Sequence, residues 1–250
     1  MSSLVRQIYN ATLSYETRLW LYKLRHPGQY ARMRTIIQPS PKGDFSLRAF
    51  DQYQCIFIHI TKSAGTSVSR SLFGYLPYHH TAIDYRVIFG RRTFNQYFKF
   101  AFVRNPWDRL YSAYRYLKSG GWNETDKLWA EANLGCFRDF NHFVKQWLSP
   151  DAINSHIHFW PQYRFICDTR RRLLVDYLGY FETLQSDVGK ISARLGIDAT
   201  LGRHNASPGS DYRTAYDDVA RNIVAQVYAD DIELLGYDFD GIRKRTVIGE

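Results

Sequence analysis

The sequence predicts an α/β fold, with a central, mostly parallel sheet flanked by helices. Three observations carry this. Two short apolar runs, residues 55–60 (CIFIHI) and 98–103 (FKFAFV), each end in a compact polar loop that opens straight into a helical pattern. A third run, 177–182 (YLGYFE), precedes a further helical pattern at 184–195. Strands that alternate with helices pack in parallel, because each crossover helix returns the chain to the same end of the sheet. Ligands of such sheets bind beyond the carboxyl ends of the strands.

The elements follow in chain order. Residues 4–37 read as a helical arm, with Leu4, Ile8, Leu13, Leu19, Leu21 and Leu24 loosely spaced among tyrosines and arginines until His26-Pro27-Gly28 stops it. Residues 38–43 are turn-like. The buried strand at 55–60 runs into Thr61-Lys-Ser-Ala-Gly-Thr-Ser67, after which Val68, Leu72 and Phe73 fall at helical spacing. The strand at 98–103 ends at Arg104. Asn105 then caps a helix, Pro106 takes its first position and Asp108 its third. Trp107, Leu110, Tyr111, Tyr114 and Leu117 form its buried stripe, and Gly120-Gly121 ends it. Residues 122–160 are aromatic and helical in part. Residues 163–167 (YRFIC) read as a strand, 184–195 as a helix stopped by Gly196, 203–211 as an ordered surface turn. Residues 216–235 read as one last helix with Val219, Ile223, Val227 and Leu234 facing inward.

The chain of 250 residues is 45% hydrophobic and 23% charged, which excludes a disordered tail or a fibre. It divides into a basic arm over 1–50, helical and packed on the core, and a main domain over 51–250. The net charge is +9, and the arm holds eight basic residues against Glu16 and Asp44. Such a balance suits an anionic partner. For the arm, an acidic glycan, a homodimer contact and a solvated surface all remain open. Three cysteines without a CxxC exclude a disulfide scaffold, and two of them sit in apolar runs as buried thiols. No apolar window approaches eighteen residues, so no stable membrane span is expected. The start lacks a signal-peptide core, which points to the cytoplasm for a complete chain and to the Golgi lumen for a trimmed catalytic domain.

Residues 61–67 have the chemistry of an anion loop. Ala64 and Gly65 let backbone amides approach a ligand, Lys62 adds a charge, and Ser63, Thr66 and Ser67 add hydroxyls. The free N–H groups of the next helix point into the same space. The loop is not the common nucleotide loop, because Lys62 precedes the only glycine instead of following it. Arg104, also at a strand end beside a helix start, suits bidentate contact with phosphate, or alternatively a structural salt bridge. Two such sites in one sheet suggest a ligand with two separated anionic groups.

These residues carry a resemblance. Residues 58–67 (IHITKSAGTS) are similar to the 5′-phosphosulfate loop of the carbohydrate sulfotransferases, commonly HIPKTAGTS, and residues 100–114 (FAFVRNPWDRLYSAY) resemble their 3′-phosphate segment almost letter for letter. Weaker matches follow at Pro161-Gln162, at 177–182 with Asp187, at Asn205-Ala-Ser207 with Tyr212, and at 228–239. The resemblance covers about residues 55–240 and points to the type related to the chondroitin, dermatan and heparan 2-O sulfotransferases. It implies a fold related to P-loop kinases and transfer of a sulfonate group from 3′-phosphoadenosine-5′-phosphosulfate (PAPS) to a sugar hydroxyl. PAPS is then the cosubstrate, no metal is required, and the partner is a sugar or acidic glycan, not nucleic acid. Lys62, Ser63, Ala64, Gly65, Thr66 and Ser67 would hold the 5′-phosphosulfate, and Arg104 and Ser112 the 3′-phosphate. Arg203 in the late loop joins the nucleotide-binding set. Thr61 departs from the family's usual proline.

Sulfonate transfer is a positioning problem. Lys62 would meet charge growing on the bridging oxygen. The acceptor hydroxyl needs a base, and histidine is the natural choice. The family's HxTA piece selects His79 before Thr81-Ala82, with His80 close behind and a carboxylate such as Asp84 as a further choice. His156 and His158 form an HxH pair without a third metal ligand at motif spacing, and His204 sits in the late loop. Trp122, Trp129 and Trp160 could stack a sugar, though packing is their default. A P-loop kinase and a non-enzymatic polyanion-binding module are the competing readings.

Overall fold

The structure, a computed structural model, describes residues 12–199, 201, 211–246 and 248. Its N-terminal part holds helices α1 (Tyr15–Arg25), α2 (Pro27–Thr35) and α3 (Arg48–Gln52). Pro27 therefore does two things: it closes α1 and occupies the first turn of α2, where its missing N–H leaves no bond unmade. Strand β1 (Cys55–Ile58) leads to α4 (Gly65–Phe73), then α5 (Ala82–Phe89) and α6 (Arg91–Gln96). Strand β2 (Phe98–Val103) leads to α7 (Pro106–Lys118), α8 (Glu124–Leu134), α9 (Phe140–Trp147) and the short α10 (Tyr163–Ile166). Strand β3 (Tyr177–Tyr180) leads to α11 (Leu184–Leu195), and α12 (Asp218–Val227) and α13 (Ala229–Leu235) follow.

Among the described residues the sheet is small: three strands in the order β1-β2-β3, all parallel, with Cys55 opposite Phe98 and Phe100 opposite Tyr177. Every residue of β1 and five of the six in β2 are buried, so both faces are covered, as a parallel sheet requires. Phe57, Phe100 and Phe102 centre this core. A second core lies beside it, where Leu110, Tyr114 and Leu117 of α7 meet Phe143, Phe159, Val224 and Tyr228.

Two elements differ from the sequence reading. Residues 163–166 form a helical turn, not a strand. The carboxylate of Asp231 accepts from the N–H groups of both Gln162 and Tyr163, at 2.7 and 2.8 Å, and this caps the turn from another part of the chain. The last helix is two helices broken at Tyr228, whose hydroxyl donates to the Phe159 carbonyl at 2.8 Å and holds the residue off helical geometry (φ −108°, ψ 25°). Asp217 caps α12, which buries Ala220 and Val224 and packs Ile223 and Val227 against the second core, while Val219 is 55% exposed. The positions predicted around Asn105 hold: its side chain accepts from Trp107 N–H at 3.1 Å, and Pro106 starts α7.

Candidate functional site

The two loops sit at the carboxyl ends of the adjacent strands β1 and β2. In the first, Lys62 and Ala64 both adopt left-handed backbone (φ 65° and 62°), which turns the chain tightly enough to start α4 at Gly65. Among the described residues no side chain caps α4. Gly65 is dictated by contact: a Cβ there would lie 1.9 Å from Cδ2 of His59, whose buried ring packs beneath the loop. Gly65→Ala should therefore cost about 3 kcal/mol, read as a lowered melting temperature in thermal denaturation.

The loop is held from below by Arg109, which is 2% exposed. Its Nε donates to the Thr61 carbonyl at 2.8 Å, one Nη to Thr61 Oγ1 at 3.0 Å and the other to the Trp160 carbonyl at 2.8 Å. The departure at Thr61 thus supplies an acceptor that proline lacks. Ser63 turns inward and donates to Gln162 Oε1 at 3.3 Å. The same amide closes on the second loop, accepting from Arg104 N–H at 3.0 Å and donating to its carbonyl at 2.8 Å. Gln162 therefore clasps both loops together.

Arg104 forms the structural salt bridge. Its Nε and Nη2 each donate to the Asp108 carboxylate at 2.8 Å, and Nη1 donates to the Lys62 carbonyl at 3.2 Å. The guanidinium also stacks 4.0 Å from the centre of the Phe181 ring. Of its five N–H groups these bonds use three, leaving two for a further anion. Ser112 is half-buried one turn beyond Asp108 on α7. Among the described residues no carboxylate pairs with Lys62 or Arg109. Burial, together with Arg104 and Arg109, pushes the Lys62 ammonium down to about 8.

Lys62 rests its ammonium 3.9 Å from the centre of the Tyr116 ring. The Tyr116 hydroxyl donates to Asp126 at 2.7 Å, and the Trp122 N–H reaches the same carboxylate at 3.0 Å. His156 Nε2 and His158 Nε2 lie 3.4 and 4.0 Å from it. Burial alone would raise Asp126, but the bonds from His156, Tyr116 and Trp122 outweigh it and hold the carboxyl far below its ordinary range. His158 in turn packs edge-on to Tyr116 and to His79, with ring centres 4.8 and 6.4 Å apart. One continuous wall thus joins Lys62, Tyr116, His158 and His79. Tyr116 and Asp126 are the members that the sequence reading missed, and Gln162, which it quoted only as a weak match, carries the clasp.

The two candidate bases differ in how they are held. His79 Nδ1 lies 2.9 Å from the His59 carbonyl, which can only accept, so Nδ1 carries the proton and Nε2 keeps a free lone pair. The residue is open to solvent on one side. Crowding by protein lowers its pKa, partly countered by the His59 bond. His80 turns toward Asp84, 3.9 Å away, which forms a capping box with Thr81 at the start of α5. Burial lowers the His80 pKa. Trp129 packs against Trp147, His156 and Phe159, and Trp160 carries Arg164 on its face. Cys55 and Cys167 are buried thiols, each pushed up to about 12, by burial alone in Cys55 and chiefly by burial in Cys167. Arg203, His204 and Asn205-Ala-Ser207 lie outside the described residues. Among the described residues no cluster of three His, Cys, Asp or Glu side chains is arranged to hold a metal.

A model of the sulfotransferase family matches residues 46–238. An uncharacterized protein of Archaeoglobus fulgidus is 34% identical over 127 residues, which span 50% of this chain and 89% of that protein. No solved structure matches the chain.

Proposed function

The chain belongs to the sulfotransferase family, and on that premise we propose that it transfers a sulfonate group from PAPS to a hydroxyl of a carbohydrate acceptor, of the type sulfated by the chondroitin, dermatan and heparan 2-O enzymes. The observation that carries the reading is the cationic loop pair: among the described residues no carboxylate pairs with Lys62 or Arg109, and Arg104 bonds the Lys62 carbonyl across two adjacent strand ends. Such a pair fits a ligand bearing anions at both ends.

In this reading the N–H groups at the start of α4, with Thr66 and Ser67, hold the 5′-phosphosulfate. The remaining N–H groups of Arg104, with Ser112, hold the 3′-phosphate. Lys62 leaves the Tyr116 ring and donates to the bridging oxygen as the sulfur–oxygen bond breaks. Its charge is worth more there in the transition state than in the ground state. His79 Nε2 takes the proton of the acceptor hydroxyl as its oxygen bonds sulfur. The desulfated nucleotide, adenosine 3′,5′-bisphosphate, leaves with the electron pair. Burial lowers the His79 pKa and so favours neutral imidazole.

The 3′-phosphate assignment has a direct test. Arg104→Ala should weaken adenosine 3′,5′-bisphosphate roughly 10²-fold, because a charge-assisted bidentate contact contributes about 1.5–3 kcal/mol. Isothermal calorimetry reads the affinity, and circular dichroism checks that the variant is folded. Unchanged affinity in folded protein would remove Arg104 from the nucleotide site.

A further inference from the structure

Helix α1 is built the wrong way round for a surface helix. Ordinarily the apolar stripe faces the core and the polar face meets water. Here the contacts that hold α1 to the body are polar. Glu16 pairs with Arg86 at 2.7 Å, Tyr15 hydroxyl donates to Asp84 at 2.9 Å, and Lys23 Nζ donates to the carbonyls of Val87 and Ile88 at 2.6 and 3.2 Å. No residue of α1 is buried. Of the seven large hydrophobic side chains exposed among the described residues, four lie on α1 (Tyr15, Trp20, Tyr22 and Leu24) and a fifth, Ile36, just past α2. That concentration is not scatter. It marks an interaction surface.

The pattern around the helix identifies the occupant. At 100° per residue, Trp20 and Leu24 form one exposed stripe and Tyr15 and Tyr22 another. Arg18 and Arg25, seven residues apart, run between them. Arg32 and Ile36, one turn apart at the end of α2, carry the same alternation onward, and Arg25 and Arg32 are exposed. Between residues 12 and 36 there are five basic side chains against Glu16 alone, and Glu16 is already paired. A second copy of this face would bring its arginines against their own kind. A soluble acidic polymer would use the arginines but leave Trp20 and Leu24 in water. A lipid surface uses both. Tryptophan and tyrosine favour the boundary between headgroup and acyl chain, and arginine meets acidic headgroups while its stem lies on apolar surface.

We propose that α1 and the outer side of α2 dock the protein onto an anionic lipid surface, with Trp20 and Leu24 entering the acyl boundary and Arg25 and Arg32 on the headgroups. No described helix is long and apolar enough to cross a membrane, and none is needed: the helix lies in the plane of the interface.

The full chain is sedimented with large unilamellar vesicles of phosphatidylcholine alone, or with about a third of phosphatidylserine. Binding should need phosphatidylserine and weaken as salt rises. Trp20→Ala with Leu24→Ala should lower the partition coefficient at least ~10-fold, and Arg25→Glu with Arg32→Glu by a similar factor. The emission difference between the wild type and Trp20→Phe should shift to the blue on vesicles. All four side chains are exposed, so the variants keep their fold, as circular dichroism will verify. Equal binding with and without phosphatidylserine, or full binding by the Trp20→Ala, Leu24→Ala protein, overturns the proposal. So does a dimer in light scattering that this pair of substitutions dissolves while vesicles stay unbound, since the face would then belong to a second copy.

Discussion

Replacing Lys62 by alanine is expected to lower turnover by roughly 10³-fold while changing the affinity for adenosine 3′,5′-bisphosphate only several-fold. The split follows from where the ammonium sits. In the free protein it lies on the Tyr116 ring, 3.9 Å from its centre, and among the described residues no carboxylate pairs with it. The sulfated donor alone offers a bridging oxygen on which charge grows, so the loss falls on the reacting complex and not on the product nucleotide. Steady-state turnover and calorimetry on the same preparation read the two quantities. An equal loss in both would make Lys62 a binding residue only. The pH profile gives a second reading. Crowding and the neighbouring arginines bring Lys62 to about 8, so kcat/KM should fall above roughly that pH as the ammonium deprotonates. Lys62→Arg should abolish the alkaline fall, because guanidinium does not titrate there.

The second large effect belongs to His79. His79→Ala should lose roughly 10²-fold or more in turnover and keep its nucleotide affinity. Only neutral imidazole accepts a proton, so wild-type turnover rises as pH climbs through the His79 transition. Crowding by protein lowers that transition below the ordinary histidine value, which leaves the base ready across the neutral range. His80→Ala, whose ring faces Asp84 at the cap of α5, should keep near wild-type turnover. If His80→Ala is the inactive variant and His79→Ala is not, the base is His80. If neither matters, the acceptor proton goes elsewhere on the wall, and His158, beside Asp126, is the next group to replace.

The parts of this site that are legible in the sequence are those that local chemistry dictates. A short apolar run followed by small and hydroxyl residues suits a strand entering an anion loop, or an ordinary turn opening a helix, and Asn105-Pro106 announces a helix start in its own letters. Residues 163–167 defeat the same logic. A short apolar run such as Phe165-Ile-Cys167 suits a strand or a buried turn equally, and the choice is made by Asp231, some seventy positions away, capping the turn. Tyr116 and Asp126 are illegible for a related reason. Neither belongs to a spaced motif. They meet because Gly121, at φ 65°, folds the chain so closely that a Cβ there would lie 2.3 Å from the Asp126 side chain. Gln162 carries its role in three hydrogen bonds to two loops, none of them local. The exposed stripe of α1 reads as a weak helix in sequence, and only its polar inner contacts reveal that its apolar side is turned outward.

The all-parallel sheet has a consequence for how the chain is made. It contains no hairpin, so each strand must wait for a crossover before it finds its neighbour. Phe98 pairs 43 positions after Cys55, and Tyr177 pairs 77 positions after Phe100. At a synthesis rate of roughly 5–20 residues per second, β2 stands for about 4–15 s without β3 on its far side. During that time the run FKFAFV presents an open edge of backbone donors and acceptors with no proline to blunt it. The strand that ends in Arg104 is thus also the nascent chain's main aggregation hazard. The same wait holds for the carboxylate of Asp231, which arrives later still, so the turn that seats Gln162 is capped only when nearly the whole chain has been made.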